Sequence, residues 1–189
     1  MLEVGSRYVN GSVRPLIERF SHPKEYVGVD IEDGRFVDLI LPVERLVEHF
    51  GSEAFDIVIS TELLEHVKDW RVAVENMKLV LKCGGIIYIT TRSHGFQYHG
   101  YPYDFWRYDL EDMNKIFSDF TILMLEKDPE CPGVFLKAIK PTNYKPNDLK
   151  SIALYSIAVG KRTLEVKGLS LRRKFLLGLR KFQIVKGVF

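Results

Sequence analysis

Apolar residues along this chain fall into two rhythms. Short continuous runs at Met1–Val4, Tyr26–Asp30, Phe36–Leu41, Phe55–Ser60 and Ile86–Thr90 read as strands. Phe55–Ser60 is apolar on both faces, as a central parallel strand must be. Between these runs the spacing turns helical. Val13, Leu16, Ile17 and Phe20 share one side of a predicted helix opened by Ser12, with Pro15 in its first turn. Glu44–Phe50 is a short helix stopped by Gly51. Trp70, Val74, Met77 and Leu81 line a helix behind Asp69 that ends at Gly84-Gly85, and Leu110, Met113, Ile116 and Phe117 line another behind Asp109. Two closing strands, Phe120–Glu126 and Gly133–Ile139, have no helix between them and must pair as an antiparallel hairpin, because a parallel pair needs a long crossover.

Strands alternating with helices over residues 1–140 predict a doubly wound, mostly parallel α/β sheet with an antiparallel edge hairpin at its C-terminal side. Residues 141–150, rich in Pro and Asn, read as a linker, and 151–189 as a basic C-terminal helical extension. The charge changes along the chain. Residues 161–189 hold nine Lys or Arg against one acid, Glu165, which leaves 18 bases and 24 acids in the preceding 160 residues. Ser170 opens a tail helix with Leu171, Phe175, Leu179 and Phe182 on one stripe and Arg172, Arg173, Lys174, Arg180 and Lys181 around it, weakened by about 1 kcal/mol at Gly178. Such a helix suits peripheral contact with an anionic membrane, or packing on the acidic body of its own or a second subunit. No nucleic-acid motif accompanies it, so nucleic acid is not an expected partner.

No apolar run approaches the roughly 20 residues that cross a bilayer. Glu3, Arg7 and Arg14 break up any signal-peptide pattern, so a cytoplasmic location is expected, with Cys83 and Cys131 as reduced thiols outside any metal-ligand spacing.

Chemistry is expected at the carboxyl ends of the parallel strands, where open sheets bind ligands. Gly5 follows the first strand and lets backbone approach a ligand closely. The full Gly-x-Gly-x-x-Gly fingerprint is absent, since Arg7 and Asn10 interrupt it, and this argues against a nicotinamide oxidoreductase. Asp30 ends the second strand 25 residues past Gly5 and can accept from a ribose diol. After Phe55–Ser60 comes Thr61-Glu62-Leu63-Leu64-Glu65-His66-Val67, and then Leu79-Val-Leu-Lys-Cys-Gly-Gly-Ile-Ile-Tyr-Ile-Thr90. These two stretches resemble, in order and separation, the fourth motif and following helix–Gly-Gly–strand of class I S-adenosylmethionine-dependent methyltransferases, of the type 11-like group.

The resemblance spans roughly residues 1–140 and implies a Rossmann-like seven-stranded methyltransferase fold. The cofactor it implies is S-adenosyl-L-methionine, and the activity methyl transfer to an oxygen or nitrogen of a small-molecule or glycan-like acceptor. It assigns Glu3, Gly5 and Ser6 to the methionine part of the cofactor, Asp30 to its ribose, and Ile31 to the adenine face. Leu41, Pro42, Val43 and Glu44 flank the adenine edge, Ser60, Thr61 and Glu62 face the methionine and methyl group, and His66 stands beside that loop. The chain departs from the pattern where only the first glycine of the turn is kept, with Arg7 either facing outward or meeting the cofactor carboxylate. It departs again where Pro42 replaces an acid that many relatives use on the adenine amino group. The first strand starts at Met1, where relatives carry pocket-closing helices. A more open site, or a lid from residues 91–108, the tail or the second subunit of a homodimer, is expected instead. The degraded turn also leaves room for an alternative, a catalytically inactive methyltransferase-fold binding or scaffold subunit.

Residues 92–108 hold four Tyr, two His, two Phe and one Trp with no period of 2 or 3.6. Rings with polar tips suit a concave acceptor site, and Tyr98, Tyr101, Tyr103, Trp106 and Arg107 are its candidate residues. His94 and His99 are candidate bases, and Asp104 can orient one of them or bind an acceptor hydroxyl. The spacing of these three is not diagnostic of a metal, and no resident metal is expected.

Overall fold

Parallel pairing of short apolar strands sets the frame. The computed structural model describes residues 1–100 and 103–167. In chain order it contains β1 (Leu2–Val4), α1 (Arg14–Ser21), β2 (Val27–Asp30), β3 (Leu39–Ile40), α2 (Leu46–Phe50), β4 (Phe55–Thr61), α3 (Trp70–Val80) and β5 (Leu81–Arg92). There follow β6 (Trp106–Arg107), α4 (Leu110–Ile116), β7 (Thr121–Lys127), β8 (Gly133–Ile139), β9 (Leu154–Ser156) and β10 (Lys161–Thr163). The main sheet has seven strands in the order β3-β2-β1-β4-β5-β8-β7. β3, β2, β1, β4 and β5 run parallel, while β8 pairs antiparallel with both β5 and β7. The strand order turns back between β1 and β4, which is where such sheets receive ligands.

The core follows the apolar pattern. Leu2, Val29, Val58 and Ile87 are fully buried within the sheet, and α3 adds Trp70, Ala73, Val74, Met77 and Val80 to the same core. Lys78 lies on the same helix, also buried, and is compensated by bonds to the carbonyl of Ile116 at 2.6 Å and to Asp119 at 2.7 Å. Asp109 caps α4 through a reciprocal box with Asp112, whereas Asp69 makes no side-chain bond to the start of α3.

Three expectations are corrected. The strand foreseen over Phe36–Leu41 shrinks to Leu39–Ile40. Phe36 takes a left-handed φ of 72°, and the Asp38 side chain accepts from the Gly28 amide at 2.7 Å in place of a ladder carbonyl. The apolar side of α1 is not buried, as Leu16 is 60% and Phe20 71% exposed. What holds this helix is polar: Arg14 bonds Glu18 at 2.8 Å, Asp38 at 2.6 Å and the Phe36 carbonyl at 3.3 Å. Finally, the helical extension placed over 151–189 is, in its described part, a β-hairpin of β9 and β10 joined antiparallel to β6. Strands this short carry no periodicity of their own, and their partner is what makes them strands. The helix expected from Ser170 lies outside the described residues.

The segment read as a linker is packed down. Asn147 donates to the carbonyls of Lys115 at 2.8 Å and Ile116 at 3.1 Å, and Leu149 is buried. Arg71 of α3 then clasps three carbonyls of the returning chain, those of Leu149, Ile152 and Leu164, at 2.6–2.8 Å.

Candidate functional site

Register brings the strand ends level. Val4 lies opposite Val29, and Glu3 opposite Ile59, so Gly5, Asp30 and Ser60-Thr61 share one edge of the sheet. Gly5 has φ +81°, and a Cβ there would meet the Leu63 side chain at 3.1 Å. Only glycine allows the turn and the close packing together. The Gly5 and Ser6 amides both donate to the Val29 carbonyl, at 2.9 and 3.1 Å, which ties the turn to β2.

Asp30 accepts from the Arg7 amide at 3.3 Å and the Glu32 amide at 3.1 Å, so its carboxylate stands at the strand edge. The Arg7 side chain turns outward and pairs with Glu32 at 2.6 Å. Beside Asp30, Ile31 is 61% exposed, while Val43 is buried beneath the same edge. The hydroxyls of Ser6 and Ser60 are buried with no hydrogen-bond partner. An exposed aliphatic face next to a strand-end carboxylate fits an adenosyl group.

Two acids of the candidate cofactor set are engaged within the protein. Glu3 is buried and accepts from the Tyr26 hydroxyl at 2.7 Å; burial pushes its carboxyl up despite that bond. Glu62, in a left-handed conformation at φ 54°, accepts from Thr90 Oγ1 at 2.8 Å and pairs with Arg92. Non-glycine residues hold such a φ at a cost, and the Glu62 amide bond to the Thr90 carbonyl at 2.9 Å helps fix it.

On the acceptor side, the loop after β5 folds over the turn after β4. Asp104 and Arg107 form a fully buried bidentate pair at 2.5 and 2.9 Å. The remaining Arg107 donors go to the carbonyls of Phe96, Gln97 and Trp106. Trp106 is buried too, donating from Nε1 to the Lys68 carbonyl at 3.0 Å. The two candidate acceptor residues Trp106 and Arg107 are thus spent inside the protein and reach an acceptor only through the loop they hold. Tyr98 is also buried, Tyr103 is exposed, and Tyr101 lies outside the described residues. His94 is exposed and packs edge-on against Tyr155, with ring centroids 4.4 Å apart.

His99 is the histidine that Asp104 positions. Its amide donates to Asp104 Oδ2 at 2.8 Å and its Nδ1 lies 3.1 Å from the same oxygen. Burial works against the Asp104 carboxylate, but Arg107 and then His99 outweigh it and hold its carboxyl well below the usual range. His66 makes a parallel arrangement, with Nδ1 on the Tyr103 carbonyl; burial holds its pKa below the ordinary imidazole value. The Gly100 backbone crosses this ring so closely that a Cβ would come within 2.5 Å of His66 Cε1.

Sequence reasoning passed over Glu65, which lies at the centre of this arrangement. It is fully buried; Oε2 accepts from Thr91 Oγ1 at 2.8 Å, and Oε1 has no hydrogen-bond partner. Oε1 faces Nε2 of His66 and Nε2 of His99, each at 3.9 Å. Burial, with the charge of Glu62 adding, pushes its carboxyl upward. The available signal was an acid inside Leu63-Leu64-Glu65-His66-Val67, where apolar neighbours foretell burial.

Residues 2–89 match a family described as a methyltransferase domain. No curated protein matches the chain. Among solved structures, the complex between the Haloferax volcanii Trm112 methyltransferase activator and a putative methyltransferase is 14% identical, with 76% of this chain and 82% of that chain covered at a TM-score of 0.61. A SAM-dependent methyltransferase from Aquifex aeolicus is 13% identical, covering 74% and 80% at a TM-score of 0.56. The 1,6-didemethyltoxoflavin N1-methyltransferase of Burkholderia thailandensis, solved with bound 1,6-didemethyltoxoflavin and S-adenosylhomocysteine, is 14% identical, covering 74% and 70% at a TM-score of 0.56. At these identities the likeness concerns the fold.

Proposed function

We propose, from the match of residues 2–89 to a methyltransferase-domain family, that this chain transfers a methyl group from S-adenosylmethionine to an oxygen or nitrogen of a small or glycan-like acceptor. The observation that carries the reading is the strand-end carboxylate of Asp30 beside the exposed face of Ile31, level with the Gly5 turn. Asp30 would hold the ribose diol, Ile31 and Val43 the adenine, and Gly5, Ser6, Ser60 and Thr61 the methionine end. Glu3 and Glu62 contribute by shaping that end from within their bonds to Tyr26 and Thr90. The cofactor supplies an electrophilic methyl on a sulfonium. The protein's part is then alignment and exclusion of water, with the 94–108 loop, braced by Arg107, as the wall on the acceptor side. His99, its ring turned by Asp104, offers Nε2 to an acceptor proton, and exposed His94 stands at the rim of the same loop.

The engagement of Glu3 and Glu62 favours one second reading, a methyltransferase-fold binding subunit without turnover. Calorimetric titration with S-adenosylhomocysteine separates the two from a protein with no adenosyl site at all. We expect a single site whose affinity drops more than tenfold in Asp30→Ala, and methyl transfer from labelled cofactor in the intact protein. Absence of both heat and thermal shift in the wild type overturns the reading, and binding without any turnover across acceptors would leave the subunit.

A further inference from the structure

Glu65, His66 and His99 converge on one point, their nearest ligand atoms all lying within 4.8 Å of one another. We propose that these three residues form a site for a divalent transition-metal ion, with zinc as the best chemical match. Three features argue it. First, the Glu65 Oε1 atom is buried, unpartnered and aimed between the two imidazoles. A buried carboxylate oxygen without a donor is costly, and a cation is the partner its surroundings provide for. Second, both histidines present the correct nitrogen. With Nδ1 turned to the Tyr103 carbonyl in one ring and to Asp104 in the other, Nε2 of each ring is the nitrogen left for a ligand bond, on the side of Glu65. Third, those Nδ1 partners are the outer supports that metal-binding histidines require, a backbone carbonyl for one and a carboxylate for the other. The Asp104 support is itself locked by the buried Arg107 fork.

The geometry needs little adjustment. A tetrahedral ion with ligands at about 2.1 Å sets neighbouring ligand atoms about 3.4 Å apart, against 3.9 Å from Glu65 to each imidazole and at most 4.8 Å within the whole set here. The two imidazoles would have to draw inward towards Glu65 on loading. Two histidines and one glutamate are the donor set of zinc with an open fourth position, which an oxygen or nitrogen of a bound molecule can take. The ion would therefore sit at the junction of the turn after β4 and the loop after β5, on the acceptor side of the strand edge.

The inference does not rest on methyl transfer. If it holds, His99 is a ligand and not the base. The test uses the full chain without a polyhistidine tag, stripped by chelator and titrated with zinc chloride by calorimetry, and with cobalt(II) chloride for its visible spectrum. One ion per chain, a rise in Tm on loading, and a tetrahedral cobalt band are expected. His66→Ala and His99→Ala should each weaken binding more than tenfold. Asp104→Asn, which touches no ion, should weaken it by about 10–100-fold through the orientation of His99. Should any variant lose its fold by circular dichroism, Glu65→Gln, isosteric and uncharged, replaces it as the deciding measurement. No saturable binding by the folded wild type, or binding equal in wild type and folded variants, overturns the site. S-adenosylhomocysteine titration of the same stripped protein reports on the adenosyl pocket separately, so loss of one result leaves the other standing.

Discussion

A carboxylate taken out of water needs donors, and Glu3 has one side-chain donor, the Tyr26 hydroxyl. Burial outweighs that bond and the nearby Arg14 charge, so its carboxyl titrates above the ordinary range. An acid whose folded pKa is raised favours the folded state while protonated and penalises it once ionised. The cost is full above the folded pKa, shrinks as pH falls through it, and vanishes below the unfolded value of about 4. Glu3→Gln keeps an acceptor for Tyr26 and removes the charge. Its Tm should exceed that of the wild type at pH 7, and the two curves should converge near pH 4. A difference independent of pH would show that packing, not ionisation, sets the effect.

At the scale of elements, α3 acts on both sides. Its inner face closes the core, while Arg71 reaches outward to three carbonyls of the chain returning after β8. Arg71→Ala strands those carbonyls and should cost about 2 kcal/mol in denaturant unfolding, since bonds to a charged donor are worth more than neutral ones. Amides of β9 should lose hydrogen-exchange protection first, with those of β4 unchanged; uniform loss would contradict a local clasp. This clasp also marks where sequence reading stops. Phe55–Thr61 and the hairpin of β7 and β8 were legible because their burial is written in their own residues: apolar on both faces in one, two apolar runs without a crossover in the other. β6, β9 and β10 are two or three residues long and owe their state to their partners: β6 and β9 pair across about fifty residues of sequence, and β10 pairs with β9 alone. The site divides the same way. Gly5 and Asp30 follow from strand ends, and register alone levels them. Trp106 and Arg107 look like binding residues in sequence because aromatic and guanidinium groups bind ligands, but the bonds that bury them come from carbonyls at Lys68, Phe96 and Gln97, to which no pattern points.

For the whole molecule, the question is whether the main sheet stands without the residues that follow it. The seven strands end at Ile139, yet the layer over α3 and α4 is completed by 141–167. Leu149, Leu154 and Val166 are buried there, worth roughly 2 kcal/mol each as apolar area removed from water. Asn147 accepts from Lys78 at 3.1 Å, and Arg162 pairs with Asp112 of the α4 capping box. Removing the segment exposes the apolar partners of those side chains, frees the carbonyls of Lys115 and Ile116, and takes β9 away from the loop that carries Asp104 and His99. The sum approaches the 5–15 kcal/mol or so that holds a domain of this size together. A chain cut after Lys140 should therefore lose its cooperative thermal transition, or melt at least about 10 °C below the full chain, with collapse of the dispersed amide spectrum. A truncated chain that melts within a few degrees of the full one would mean that the sheet is self-sufficient and that 141–167 merely rests on it.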